Sequence, residues 1–147
     1  MSDARAVLDS KNDERTTTVL RERAFAAMER AYAPYSRFRV GAALLGTDGS
    51  ITEGCNVENA SYPVGVCAER GALAAAVARG VRTFSTIVIA TEADEPTPPC
   101  GMCRQFLEEF SPRMAVLTFT RDGKHAHWTL EELLPRAFTP RSLEQHR

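Results

Sequence analysis

The chain has 147 residues, 44% of them hydrophobic and 25% charged, with a formal net charge of −1 from 18 basic and 19 acidic side chains. That length fits one domain whose core needs no disulfide staples. A balanced charge with no long basic stripe argues against long DNA or RNA as a partner, and no apolar run reaches the ~18–20 residues that span a bilayer.

Residues 1–16 hold few apolar groups and are expected to form a flexible arm ahead of a single domain over 17–138 and a polar tail over 139–147. The first residues lack the apolar core of a signal peptide. A cytoplasmic location follows as the expectation. Thiols stay reduced there, so the four cysteines read as metal ligands or free thiols rather than disulfides.

From Thr18 to Tyr32, Leu20, Ala24, Ala27, Met28 and Ala31 share one face at i, i+3, i+4 spacing, which predicts an amphipathic helix ended by Pro34. Phe38 to Leu45 begins as an alternating strand and turns uniformly apolar, which places it centrally in a sheet. Thr47-Asp48-Gly49-Ser50 is a tight turn, with Gly49 free to take a positive φ. Ile51 to Val57 pairs back, and Asn56 to Gly65 is a polar loop of small residues. Cys67 to Ala78 is alanine-rich and helical. Thr83 to Ala90 reads as a buried strand. A loop carrying Pro96, Pro98 and Pro99 leads into a helix over Cys100 to Phe110, with Phe106, Leu107 and Phe110 on its inner face. Met114 to Thr120 is a strand, Arg121 to Lys124 a turn, and His125 to Thr129 a short edge strand. Thr129 caps a last helical turn over Glu131 to Leu134, stopped by Pro135. The order α-β-β-α-β-α-β-β-α implies one sheet with helices on both faces.

The chemistry concentrates in two segments, Cys67-Ala68-Glu69-Arg70 and Pro99-Cys100-Gly101-Met102-Cys103-Arg104. Both open helices, where free N–H groups and the helix dipole favour thiolates. The i, i+3 spacing puts Cys100 and Cys103 on one helical face, so both sulfurs reach one ion. With Cys67 they make three ligands for Zn²⁺ and leave a fourth position open, as a catalytic zinc requires. Glu69, two residues past the first ligand, can turn toward the metal without binding it and move protons for an activated water. Three thiolates around Zn²⁺ sum to −1, which opposes activation of that water. Arg70, ahead of Arg104, is the candidate to offset the charge by donating to the sulfurs. C-x-E with P-C-x-x-C is the signature of zinc nucleobase deaminases in their three-cysteine form.

The chain resembles the small, homotetrameric, zinc-dependent cytidine deaminases over about residues 20–138. Four blocks carry the likeness: Ala33 to Leu44 (APYSRFRVGAAL), Gly54 to Tyr62 (GCNVENASY), Cys67 to Arg70 (CAER) and Pro99 to Gln105 (PCGMCRQ). A weaker fifth runs from Glu132 to Phe138. The resemblance implies an α/β fold, a three-layer α/β/α sandwich with one mixed five-stranded sheet. It implies hydrolysis of cytidine and deoxycytidine to uridine and deoxyuridine with release of ammonia, in pyrimidine salvage. It further implies that Phe38 packs on the pyrimidine, that Asn56 and Glu58 bind the ribose hydroxyls, and that the backbone at Ala68 and the carboxyl of Glu69 read the N3 and amine edge. Phe138 is implied to close the pocket of a neighbouring subunit. Gly71 departs from the family's usual threonine. Cys55 reads as a buried apolar side chain, and His125, His127 and His146 as residues without a ligand role. Two other readings stay open: deamination of a related nucleoside such as a blasticidin-type antibiotic, and a non-catalytic zinc-binding module, which a fourth ligand would support.

Overall fold

The structure is a computed structural model that describes residues 3–144, with side chains described from residue 13 onward. Its elements are α1 (Asp3–Met28), β1 (Val40–Gly46), β2 (Ile51–Cys55), a 3-10 turn (Tyr62–Val64), α2 (Ala68–Ala78), β3 (Phe84–Thr91), α3 (Gly101–Glu108), β4 (Ala115–Phe119), β5 (His125–Thr129), α4 (Leu130–Leu133) and α5 (Pro140–Glu144). The five strands form one sheet in the order β2-β1-β3-β4-β5. Only β3 and β4 run parallel; β1 is antiparallel to β2 and to β3, and β4 to β5, so the sheet is mixed.

Alternation along the strands builds two cores, because successive side chains point to opposite faces. On one face Ala43, Val88 and Ala90 meet Leu20, Ala24 and Met28 of α1. On the other, Ala42, Leu44, Ile87, Ile89 and Val116 meet Ala68, Ala72 and Leu73 of α2, Leu107 of α3 and Leu130 of α4. The result is the three-layer α/β/α sandwich. Two glycines set the interlayer distance. A Cβ on Gly41 would lie 1.9 Å from the Ala24 carbonyl oxygen, and one on Gly54 2.3 Å from that of Ala68. The α1 and α2 backbones therefore rest directly on opposite faces of the β1–β2 pair, and the α2 contact fixes where Cys67 and Glu69 sit.

Four details differ from or add to the sequence reading. Helix α1 begins at Asp3, so the stretch expected to be an arm continues the first helix, and the helix ends at Met28. Within the polar tail expected over 139–147, Pro140–Glu144 forms a short helix. On α3 the inner face is Cys103 and Leu107, with Phe110 packed beside them, whereas Phe106 is exposed. Adjacent residues on a helix diverge by about 100°, so Phe106 and Leu107 cannot both face the core. Cys55, the last residue of β2, is half-buried rather than enclosed. His146 lies outside the described residues.

Candidate metal centre and active site

Cys67 caps the N-terminus of α2 in an extended conformation (φ −71°, ψ 153°), and its thiol makes no cap hydrogen bond. Cys100 does the same for α3 (φ −65°, ψ 165°) behind Pro99. Both sulfurs therefore lie off the helix ends, free to bind. Cys103, one turn into α3, is fully buried beneath them. The Cys67 and Cys100 sulfurs are 3.9 Å apart and those of Cys100 and Cys103 3.5 Å, with all three inside 4.8 Å of one another. Tetrahedral ligation with Zn–S of ~2.3 Å sets sulfurs about 3.8 Å apart, so the trio fits one zinc ion. Among the described residues no fourth His, Cys, Asp or Glu joins the cluster.

The protonation of the bare thiols supports the same fit. The neighbouring Cys103 thiol, with Arg70 and Cys100 nearby, brings the Cys67 thiol down to about 5. The Cys67 sulfur beside it, together with burial and the Glu69 charge, holds Cys103 far above the usual thiol range. Three thiols this close cannot all ionise unaided; a divalent cation in their midst removes the conflict. Arg70 stands beside this charge. Its Nη2 donates to the Gly65 carbonyl (3.0 Å), and its Nε is buried without a hydrogen-bond partner among the described residues. Its own pKa is lowered by burial and raised by Cys67 and Cys103, with a net rise. Arg104 is committed elsewhere, donating to the carbonyls of Pro99 (2.7 Å) and Leu133 (2.9 Å) and so tying the start of α3 to α4.

Glu69, in the first turn of α2, is 5% exposed, with Oε2 3.6 Å from the Cys103 sulfur. Burial pushes its carboxyl above the ordinary value, and the Cys67 charge adds to the rise. A buried carboxyl with raised proton affinity beside a metal site is equipped to take up and return protons.

A cavity of about 250 Å³ opens over this centre. Cys67, Ala68, Glu69 and Cys100 form its floor, and Phe38, Asn56 and Glu58 stand on its walls. The Asn56 amide donates to the Phe38 carbonyl (2.8 Å) and its Oδ1 accepts the Val40 N–H (2.8 Å). Glu58 Oε1 accepts the N–H groups of Tyr35 (2.9 Å) and Ser36 (3.1 Å), and the Ser36 side chain, followed by these backbone bonds, holds its carboxyl below the usual value. Ser36, Val40, Ile89, Thr91, Thr97 and Pro98 complete the lining and escaped the sequence reading. Thr91 carried a signal, the C-terminal end of an interior strand; the loop residues carried none. Phe138 does not line this cavity. It is 58% exposed, its carbonyl accepting from Gln105 Nε2 (2.8 Å), and it borders a separate cleft with Glu108, Pro112 and Pro140. His125 and His127 sit on the edge strand β5, outside the thiol cluster.

A layered α/β fold with three thiols at two helix starts and a buried carboxyl at the floor of an open cavity defines a zinc hydrolase. Comparison with known proteins narrows it. The family model described as cytidine and deoxycytidylate deaminase zinc-binding region matches residues 14–119. A cytidine deaminase of Halalkalibacterium halodurans is 47% identical over 122 residues, covering 82% of this chain and 92% of that protein. The crystal structure of a cytidine deaminase from Burkholderia pseudomallei superposes with a TM-score of 0.80 at 47% identity, covering 82% and 98% of the two chains. A blasticidin-S deaminase of Bacillus cereus is 35% identical over 112 residues, 71% of this chain and 79% of that one. The chain belongs to the cytidine deaminase family.

Proposed function

We propose that the protein hydrolyses cytidine and deoxycytidine to uridine and deoxyuridine with release of ammonia. The observation that carries this is Glu69, buried beside the three thiols and lining the same cavity as Phe38, Asn56 and Glu58. A zinc ion held by Cys67, Cys100 and Cys103 supplies the Lewis acidity that makes water nucleophilic near neutral pH. Glu69 takes the proton that water gives up and delivers it to N3 of the ring. The water oxygen bonds to C4; Glu69 then takes the remaining proton from that oxygen and gives it to the amino group, and the C4–N bond breaks to release ammonia and leave a carbonyl at C4. Phe38 packs on the ring, and the Glu58 carboxylate on the cavity wall accepts from a ribose hydroxyl, with Asn56 beside it. The backbone at Ala68 reads the amine edge. Arg70 offsets the thiolate charge. The cavity lining holds two carboxylates and no Lys or Arg, which favours a neutral nucleoside over a nucleotide.

Several copies, four by family resemblance, complete one another's sites. Tyr35, Tyr62, Val64, Met102, Phe106 and Phe138 are exposed large apolar side chains, the kind that subunit contacts bury. Phe138, outside its own chain's cavity, is free to reach a neighbour's. The expected place of action is the cytoplasm, which keeps the thiols reduced; no helix of the described residues is long and apolar enough to cross a membrane.

Loss of absorbance on cytidine, deoxycytidine and blasticidin S, with and without a chelator, tests the substrate. Turnover of the first two, abolished by zinc removal and by Glu69→Gln with zinc retained, is expected. Turnover of blasticidin S with none of cytidine would move the assignment to the antibiotic, the reading that the Bacillus cereus relative favours.

A further inference from the structure

The ring of Phe38 hangs from a segment tied locally by the Phe38 N–H to Ser36 Oγ (3.0 Å) and the Arg37 N–H to the Ala33 carbonyl (3.0 Å), and beyond that by distant side chains. Arg37, just before it, has φ +57°, in the left-handed region that a non-glycine residue occupies only when its surroundings impose it. The peptide joining Phe38 to Arg39 is gripped on both sides by side chains from distant elements. Its carbonyl accepts from Asn56 Nδ2, and its N–H donates to Glu92 Oε2 at 3.1 Å. Glu92 follows the last residue of β3, 53 positions along the chain from Arg39. Its other oxygen accepts from Nε (3.0 Å) and Nη2 (2.5 Å) of the Arg39 guanidinium. Glu29 and Arg121 close a ring of charges around the pair: Glu29 accepts from Arg39 Nη1 (3.0 Å) and from Arg121 Nη2 (2.6 Å), and Arg121 Nη2 lies 3.5 Å from Glu92.

Glu92 also begins the loop that carries Thr97 and Pro98, which line the same cavity as Phe38. That loop is held at its far side by Lys124, whose ammonium donates to the Asp94 carbonyl (2.9 Å) and to Glu95 (2.7 Å). One carboxylate thus couples the backbone under Phe38 to that loop. Fork-like pairing with a guanidinium plus a backbone N–H fixes direction as well as distance.

We infer that Glu92, through its bonds to the Arg39 N–H and guanidinium, is a positioning residue for substrate binding, setting where the Phe38 ring stands over the floor of the cavity. The inference rests on the proposed contact of Phe38 with the pyrimidine. Glu92 touches neither the thiols nor the floor, so its loss acts on binding geometry. A ring displaced by a fraction of an ångström weakens ground state and transition state alike, which reads as a raised KM with little change in kcat.

Steady-state kinetics on cytidine, with zinc content and melting temperature measured on the same preparations, test this. Glu92→Ala should raise KM about tenfold with kcat within about twofold and zinc retained. Glu92→Gln keeps an oxygen for the Arg39 N–H and should recover most of the loss. Where Glu92→Ala does not fold, Glu92→Leu carries the same comparison. Phe38→Ala should raise KM, and adding Glu92→Ala to it should cost nothing more, because the two act through one ring. An unchanged KM in Phe38→Ala overturns the assigned role of Phe38, and this inference with it. A raised KM in Phe38→Ala with an unchanged KM in Glu92→Ala, or equal loss in Glu92→Ala and Glu92→Gln, overturns the positioning role of Glu92 alone.

Discussion

Gly54 of β2 lies directly beneath Ala68, the first residue of α2: a Cβ there would meet the Ala68 carbonyl oxygen at 2.3 Å and the Ala72 amide nitrogen at 2.5 Å. Both neighbours are backbone, so neither can swing aside. The α2 N-terminus carries Cys67 and Glu69, and any retreat of the helix moves a ligand and the proton carrier together. Gly54→Ala should therefore cost roughly 1–3 kcal/mol by overpacking and lower both zinc content and activity. Unchanged metal content at full occupancy would show that the helix absorbs the methyl group elsewhere.

Gly71, one turn further along the same helix, makes the contrasting case. A Cβ there meets only the Cys55 carbonyl oxygen at 3.8 Å and Val66 Cγ1 at 4.0 Å, ordinary contacts. No close approach calls for glycine at this point. Gly71→Ala should stabilise by up to ~1 kcal/mol through backbone entropy and helix propensity, raising the melting temperature by about 2–4 °C for a domain of this size, with activity unchanged. A lower melting temperature would contradict the spacing.

The four thiols separate metal binding from the mere presence of cysteine. Cys103 is fully buried in the cluster, while Cys55 at the end of β2 stands apart from it. Cys103→Ser should reduce bound zinc well below the wild-type level, because a hydroxyl does not give up its proton to zinc as a thiol does. Cys55→Ser should keep both metal and turnover. Elemental analysis of the purified proteins distinguishes them, and zinc loss from Cys55→Ser would remove the assignment of the three ligands.

What the sequence disclosed and what it hid divide along a physical line. Cys67 with Glu69, and Cys100 with Cys103, are local pairs whose spacing is set by the helix turn that carries them, so the geometry is written in consecutive residues. The strands around Ala42 to Leu44 and Ile87 to Ile89 are equally local, since burial on both faces leaves an unbroken apolar run. Phe106 misled because neighbouring apolar residues on a short helix do not state which of them faces inward. Thr97, Pro98 and the Arg39–Glu92 pair were invisible for another reason. Their meeting depends on the strand order β2-β1-β3-β4-β5, which brings β1 against β3 and sets positions 53 residues apart side by side.

The same dependence on long-range pairing governs how α1 is fastened, and pH exposes it. Glu53 of β2 accepts from Arg23 Nε (2.5 Å) and Arg30 Nη2 (2.8 Å), joining the edge strand to the first helix and the chain just beyond it. The Arg23 hydrogen bond, against some desolvation, holds its carboxyl below the ordinary 4.5. A depressed folded-state value means that the stabilisation is fully present above about pH 4.5 and is lost as pH falls through the lower folded value. The pH dependence is carried by the Glu53 carboxylate. Glu53→Gln should cost roughly 1 kcal/mol or less at pH 7, since the side chains keep 25% to 66% of their exposure and water screens them. Melting curves for the two proteins should converge as the pH is lowered below 4.5. A gap that stays constant from pH 7 to pH 3 would mean that the Glu53 charge contributes nothing, and that shape alone holds Arg23 and Arg30 against β2.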